Sequence, residues 1–159
     1  MRTHDIEAFL SGTGKDYKNR TLAQILCFSN FELESRHNYI QCLFPIDTVS
    51  AFAPAPIITI EKALQLRTNK AIQLNLHLAT ERMIRFYTEY NGWKQKGNHN
   101  YKRISRILRS LRLFGCDKDA ERFYSFILEQ INIQKQLSIL VDEETKKHWE
   151  ENNKIVSYE

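Results

Sequence analysis

Apolar residues recur three or four apart through most of this 159-residue chain. That is the spacing of helices with one buried face. The clearest case is NHNYKRISRILRSLRLFG, residues 98–115. There Tyr101, Ile104, Ile107, Leu108, Leu111 and Phe114 share one face, and Lys102, Arg103, Arg106, Arg109 and Arg112 fall on the other. Asn98 or Asn100 stands where a cap belongs, and Gly115 supplies the left-handed stop. Over residues 69–91, with Thr68 as cap, Ile72, Leu76, Ala79, Met83, Phe86 and Tyr90 alternate four and three apart. This is a bundle seam, which Leu74, Leu78 and Tyr87 widen. The short link 93–97 predicts that these two helices are antiparallel neighbours.

Shorter segments follow the same rules. Thr3 caps a helix carrying Ile6, Phe9 and Leu10. Thr21 with Gln24, and Ser29 with Glu32, have capping-box spacing. The second box predicts a helix running on to about Leu43 and stopping near Pro45. Phe31, Tyr39, Ile40, Leu43 and Phe44 are its core contacts, with Arg36, His37 and Gln41 among them. The prolines of residues 45–56 predict an extended segment packed across the domain. IITI, residues 57–60, has strand composition but no evident partner, so it reads as the lead-in to a helix starting near Thr59. Asp117 caps a helix with the stripe Phe123, Tyr124, Ile127, Leu128 and Ile131, and after residues 137–141 a last helix carries Trp149. The sum is an all-α, irregular bundle of about seven helices, one domain over residues 1–159, with no internal repeat and no dividing linker.

Composition adds little to that picture and charge adds more. Apolar residues make up 42% and charged residues 26%, as in ordinary globular domains. No apolar run approaches the ~18–20 residues of a membrane span, and the N-terminus lacks the apolar core of a secretory signal. Cys27, Cys42 and Cys116 are scattered and odd in number. They read as reduced and mostly buried, which predicts an intracellular, cytoplasmic protein. The net charge of +4 is unevenly spread. No acidic residue lies between Trp93 and Asp117, whereas Asp142, Glu143, Glu144, Glu150 and Glu151 make the tail acidic. That asymmetry implies an anionic partner for one face or pairing between the two.

Catalytic signatures are absent. His4, His37, His77, His99 and His148 show no two on one helix at ligand spacing and no HExxH, so no metal is expected. Cys42 lies five residues from His37, off the helical neighbour spacing, and structural burial is the reading for it. No GxSxG, paired-carboxylate or dinucleotide-glycine pattern occurs. GTGK, residues 12–15, follows no strand and lacks the hydroxyl residue of a phosphate loop. Neither catalysis nor a cofactor is expected.

The arginine face has two readings, the solvated outside of an amphipathic helix or an anion-binding surface. Arginine presents a planar fork suited to carboxylate or phosphate, and His99, Asn100 and the free N–H groups of the helix start add donors at a positive dipole end. His37 and Gln41, four apart on one helix, either satisfy each other or line a polar pocket with that start. The candidate ligand-binding residues are therefore His37, Gln41, His99, Asn100, Arg103, Arg106 and Arg109. Their ligand would be a carboxylate or phosphate on a peptide or small molecule. The alternatives are nucleic acid on the same face, bound salt-dependently though without a helix-turn-helix signature, an enzyme acting on a small phosphorylated substrate, and a scaffold docking through its acidic tail or residues 45–56.

Two blocks also carry a likeness. HNYIQCLFP at residues 37–45 and HNYKRISRILRSL at residues 99–111 resemble the opioid growth factor receptor conserved-domain family. FLSGTGKDYKNRTLAQIL, APAPIITIEKALQL and a late helix with Trp149 follow in the same order. Cys42 stands where the family pattern has tryptophan. The resemblance implies a minimal, microbial-type member. It also implies an intracellular binding role, since animal members are described as nuclear and perinuclear receptors for an opioid pentapeptide, with no catalytic residues assigned.

Overall fold

The computed structural model describes residues 3–50, 54–132 and 141–157. Residues 51–53 of the proline segment and residues 137–140 before the last helix lie outside them. Among the described residues there are nine helices: α1 (Thr3–Ser11), α2 (Leu22–Leu26), α3 (Asn30–Ser35), α4 (Ile40–Leu43), α5 (Ile60–Leu66), α6 (Lys70–Glu89), α7 (Asn100–Leu113), α8 (Asp117–Asn132) and α9 (Glu143–Asn152). Extended pairing is confined to single residues, Lys15 with Thr21 and Ile46 with Ile57. The class is all-α as the spacing predicts, and short helices raise the number above seven. No described helix is long and apolar enough to cross a membrane.

Local chemistry sets most boundaries. Thr21 and Ser29 each form a complete capping box, with Gln24 and Glu32 reaching back to the cap N–H. Thr59 caps α5, so the IITI stretch is indeed its lead-in; Ile58 N–H donates to the Ile46 carbonyl at 3.0 Å on the way. Asn69 rather than Thr68 caps α6. Gly115, at φ +71°, ends α7, and the Cys116 N–H closes back on the Leu111 carbonyl at 2.8 Å.

Packing centres on α6, α7 and α8. Tyr87 near the end of α6 meets Asn100 at the start of α7, and Gln73 near the start of α6 donates to the Phe114 carbonyl just past α7. The two helices are thus antiparallel, as the short link predicts, and α8 packs on both. Ile6, Phe9 and Leu10 of α1 are fully buried, and α1 lies on α6. On the other side α9 lies along α7. Trp149 is fully buried there, and its indole N–H donates to the Tyr101 carbonyl at 3.0 Å.

Several expectations are corrected. The helix expected from Ser29 to Leu43 is broken: α3 stops at Ser35, Arg36 is extended at ψ 129°, and α4 begins at Ile40. The cause is competition for carbonyls. Arg103 takes those of Leu33 and Arg36, at 2.8 Å each, and Arg20 with Tyr17 takes that of Asn38. Donors from elsewhere replace the i→i−4 bonds that a continuous helix would need. Phe31, expected in the core, is 78% exposed because α3 ends before its stripe can continue. Leu74 and Leu78 point outward on α6, and Tyr124 and Leu128 are only half-buried on α8.

Candidate functional site

The polar face of α7 divides between side chains that hold the fold together and side chains that face an opening. Arg103 is only 5% exposed. Besides the two carbonyls at the break between α3 and α4, its guanidinium lies 5.4 Å from the centre of the Tyr39 ring. Asn100 is fully buried; its amide donates to the Glu34 carboxylate at 3.1 Å, and its carbonyl oxygen accepts from Tyr87 Oη at 3.2 Å. It is a structural link, not an open donor at a helix start. Arg109 forks onto Asp47 through Nε and Nη2 at 3.0 and 2.7 Å. Burial works against charge on Asp47, but the hydrogen bond and charge of Arg109 outweigh it and hold the carboxyl below its ordinary value. Arg112 is buried and pairs with Asp117 at 2.9 Å and Asn153 at 3.1 Å. Arg109 and Arg112 are therefore paired with carboxylates, and Arg103 is held by backbone carbonyls. This corrects the expectation of a row of uncommitted arginines.

What remains open is a hollow of about 660 Å³ between the α3–α4 link, α7 and α9. His37, His99, Lys102 and Arg106 line it, and His148 closes it from α9. Ile40, Ile46 and Val49 supply an apolar wall, and no carboxylate is among its described lining residues. Arg106 spends one N–H on the Phe44 carbonyl at 3.2 Å, and burial pushes its pKa down from the usual arginine value. It has no carboxylate partner among the described residues. Lys102 is exposed one helical turn before it.

The two histidines meet edge to face with ring centres 5.0 Å apart. His99 Nε2 is paired with Glu34. Burial, helped by the neighbouring charges of Arg103 and His99, lowers the pKa of His37 and keeps its ring neutral near pH 7. His37 and Gln41 do not share a helix as expected, because His37 sits in the break. Gln41 Nε2 still donates to the His37 carbonyl at 3.1 Å, and its Oε1 is buried without a partner among the described residues.

Of the seven candidates, His37, Gln41, His99, Arg103 and Arg106 line the hollow, while Asn100 and Arg109 are committed elsewhere. Sequence reasoning passed over Lys102 and His148. Lys102 carries a signal, its i, i+4 spacing to Arg106 on one face. His148 carries none, since only the docking of α9 brings it here.

Other chemistry finds little support in the geometry. Among the described residues no group of three or more His, Cys, Asp or Glu is arranged to hold a metal ion. Burial pushes the Cys42 and Cys116 thiols up to about 12, so neither is a thiolate near neutral pH. The Cys42 side chain is only 1% exposed, packed in the core.

Comparison with known proteins places the chain. A stretch of 123 residues is 29% identical to the opioid growth factor receptor of Homo sapiens, covering 66% of this chain and 18% of that protein. The opioid growth factor receptors of Rattus norvegicus and Mus musculus are 28% identical over the same length, with 21% and 19% of their chains covered. The chain thus spans about a fifth of the length of these curated relatives. No solved structure matches it. The family described as the opioid growth factor receptor (OGFr) conserved region matches residues 21–150, from the first capping box to the last turn of α9. The chain belongs to the opioid growth factor receptor conserved-region family.

Proposed function

We propose that this protein is a non-catalytic intracellular binding module that recognises a carboxylate- or phosphate-bearing peptide or small ligand in the hollow between the α3–α4 link, α7 and α9. The observation that carries this reading is the lining itself: Lys102, Arg106 and three histidines around about 660 Å³, with no acidic side chain among the described lining residues. A hollow of that size suits a small ligand or the end of a peptide. Arg106 brings a partly desolvated fork and Lys102 a mobile point charge, and both interactions strengthen where water is displaced. The relatives' name, opioid growth factor receptor, is that of a ligand-binding protein, which fits a binding role for this chain. Three unpaired cysteines, two of them buried, agree with a cytoplasmic setting.

Nucleic acid is the weaker reading. With Arg109 and Arg112 paired to Asp47 and Asp117, no long basic stripe is left to follow a phosphate backbone. Calorimetric titration of anionic peptides and nucleotides into the wild type and into Lys102→Glu/Arg106→Glu tests the proposal. Unlike Arg103 and Arg109, these two side chains hold no carboxylate or paired carbonyls among the described residues, and reversal gives up only the half-buried bond from Arg106 to the Phe44 carbonyl. Loss of binding by about tenfold or more in a variant that still melts in one cooperative transition well above the assay temperature supports the site; equal binding by both proteins removes it.

A further inference from the structure

Within the reading of this hollow as an anion site, we infer that its ligand is an organic molecule carrying two phosphoryl groups, not one carboxylate. The inference rests on how donors and charges are distributed. A carboxylate has two oxygens and about four acceptor sites. Around the hollow, Lys102 offers three N–H groups, Arg106 has spent only one of its own on Phe44, and His37 and His148 add ring nitrogens. Thr48 brings a hydroxyl to the same lining. One carboxylate cannot use a set this large, whereas each phosphoryl group adds three strong acceptor oxygens.

The donors also come from separate walls. Lys102 and Arg106 stand on α7 about 6 Å apart along the axis. His37 stands in the α3–α4 break, and His148 projects from α9. A single small anion held by α7 would leave His148 without a role. Two linked phosphoryl groups offer acceptors to both α7 and α9.

Charge balance agrees. His99 is paired with Glu34, whereas Lys102 and Arg106 have no carboxylate partner among the described residues and the Arg103 guanidinium, hydrogen-bonded to uncharged carbonyls, keeps its positive charge at the wall of the hollow. That set matches a diphosphate better than a single negative charge. Ile40, Ile46 and Val49 then face the organic part of the ligand.

The test is calorimetric titration of acetate, orthophosphate and pyrophosphate at pH 6.5 and constant ionic strength, into wild type, His148→Ala and Arg106→Glu. His148 is exposed, so its replacement does not threaten the fold. Pyrophosphate should bind about tenfold or more tighter than orthophosphate. His148→Ala should cut the pyrophosphate affinity toward that of orthophosphate and leave orthophosphate unchanged. If orthophosphate and pyrophosphate bind equally, or His148→Ala leaves their ratio untouched, the two-phosphoryl inference is overturned while an Arg106-dependent anion site stands. If no anion binds in an Arg106-dependent way, the site itself is overturned, and the inference with it.

Discussion

Arg103 shows how a single side chain can shape a fold that its own helix does not contain. It reaches back across 67 and 70 residues to the Arg36 and Leu33 carbonyls, and the break between α3 and α4 exists around its fork. Lysine keeps the charge but cannot serve two divergent carbonyls from one plane. Arg103→Lys should therefore cost about 2–3 kcal/mol in urea denaturation, as expected when buried carbonyls lose a charged donor. Arg106→Ala, which gives up one half-buried bond, should cost about 1 kcal/mol. Periodicity places Arg103, Arg106, Arg109 and Arg112 on one polar arc and cannot rank them. Their difference lies in which acceptors the rest of the chain brings near, and those contacts are decided far away in sequence.

At the level of elements, starts were legible and interruptions were not. Capping boxes at Thr21 and Ser29 and the stop at Gly115 are local chemistry, written within four residues, and each acts where its spacing says. The end of α3 depends on Arg103 and the course of the Asn38 backbone on Arg20, so no local pattern announces the break. The docking of α9 is intermediate. A lone Trp149 in a charged helix signals burial but not against what. Its indole meets Tyr101 edge-on with ring centres 5.7 Å apart. Trp149→Ala should lower stability by about 3–5 kcal/mol and speed amide exchange throughout α9, as read by mass spectrometry. Trp149→Phe, which keeps most of the bulk and loses the hydrogen bond, should cost about 1 kcal/mol for the bond plus a small packing loss.

For the whole molecule, electrostatics join parts that the core leaves apart. Asp47, beyond the buried Pro45, is tied to the middle of α7 by the fork of Arg109. Its folded pKa lies below the ordinary value of 3.8. The stabilising contribution is thus complete above that value and is lost as pH falls through the folded pKa. Thermal melts should show Asp47→Asn less stable than wild type at pH 7, with the gap closing as the pH approaches 2. His37 acts in the same direction nearer neutrality: its lowered pKa means the folded state resists protonation, so acidification below about 6.5 also weakens the fold. The all-α class, the antiparallel long helices and most of the core could be read from spacing alone. The hollow could not, because its walls come from three separated parts of the chain that only tertiary packing brings together.

The first helix has a consequence for how this family is delimited. The match to the family begins at residue 21, yet Ile6, Phe9 and Leu10 of α1 are wholly enclosed on α6. A fragment trimmed to the recognisable portion would lift three apolar side chains from the interior and leave α6 wet along the strip they covered. The unit that evolution spells most clearly is smaller than the unit that physics can keep closed.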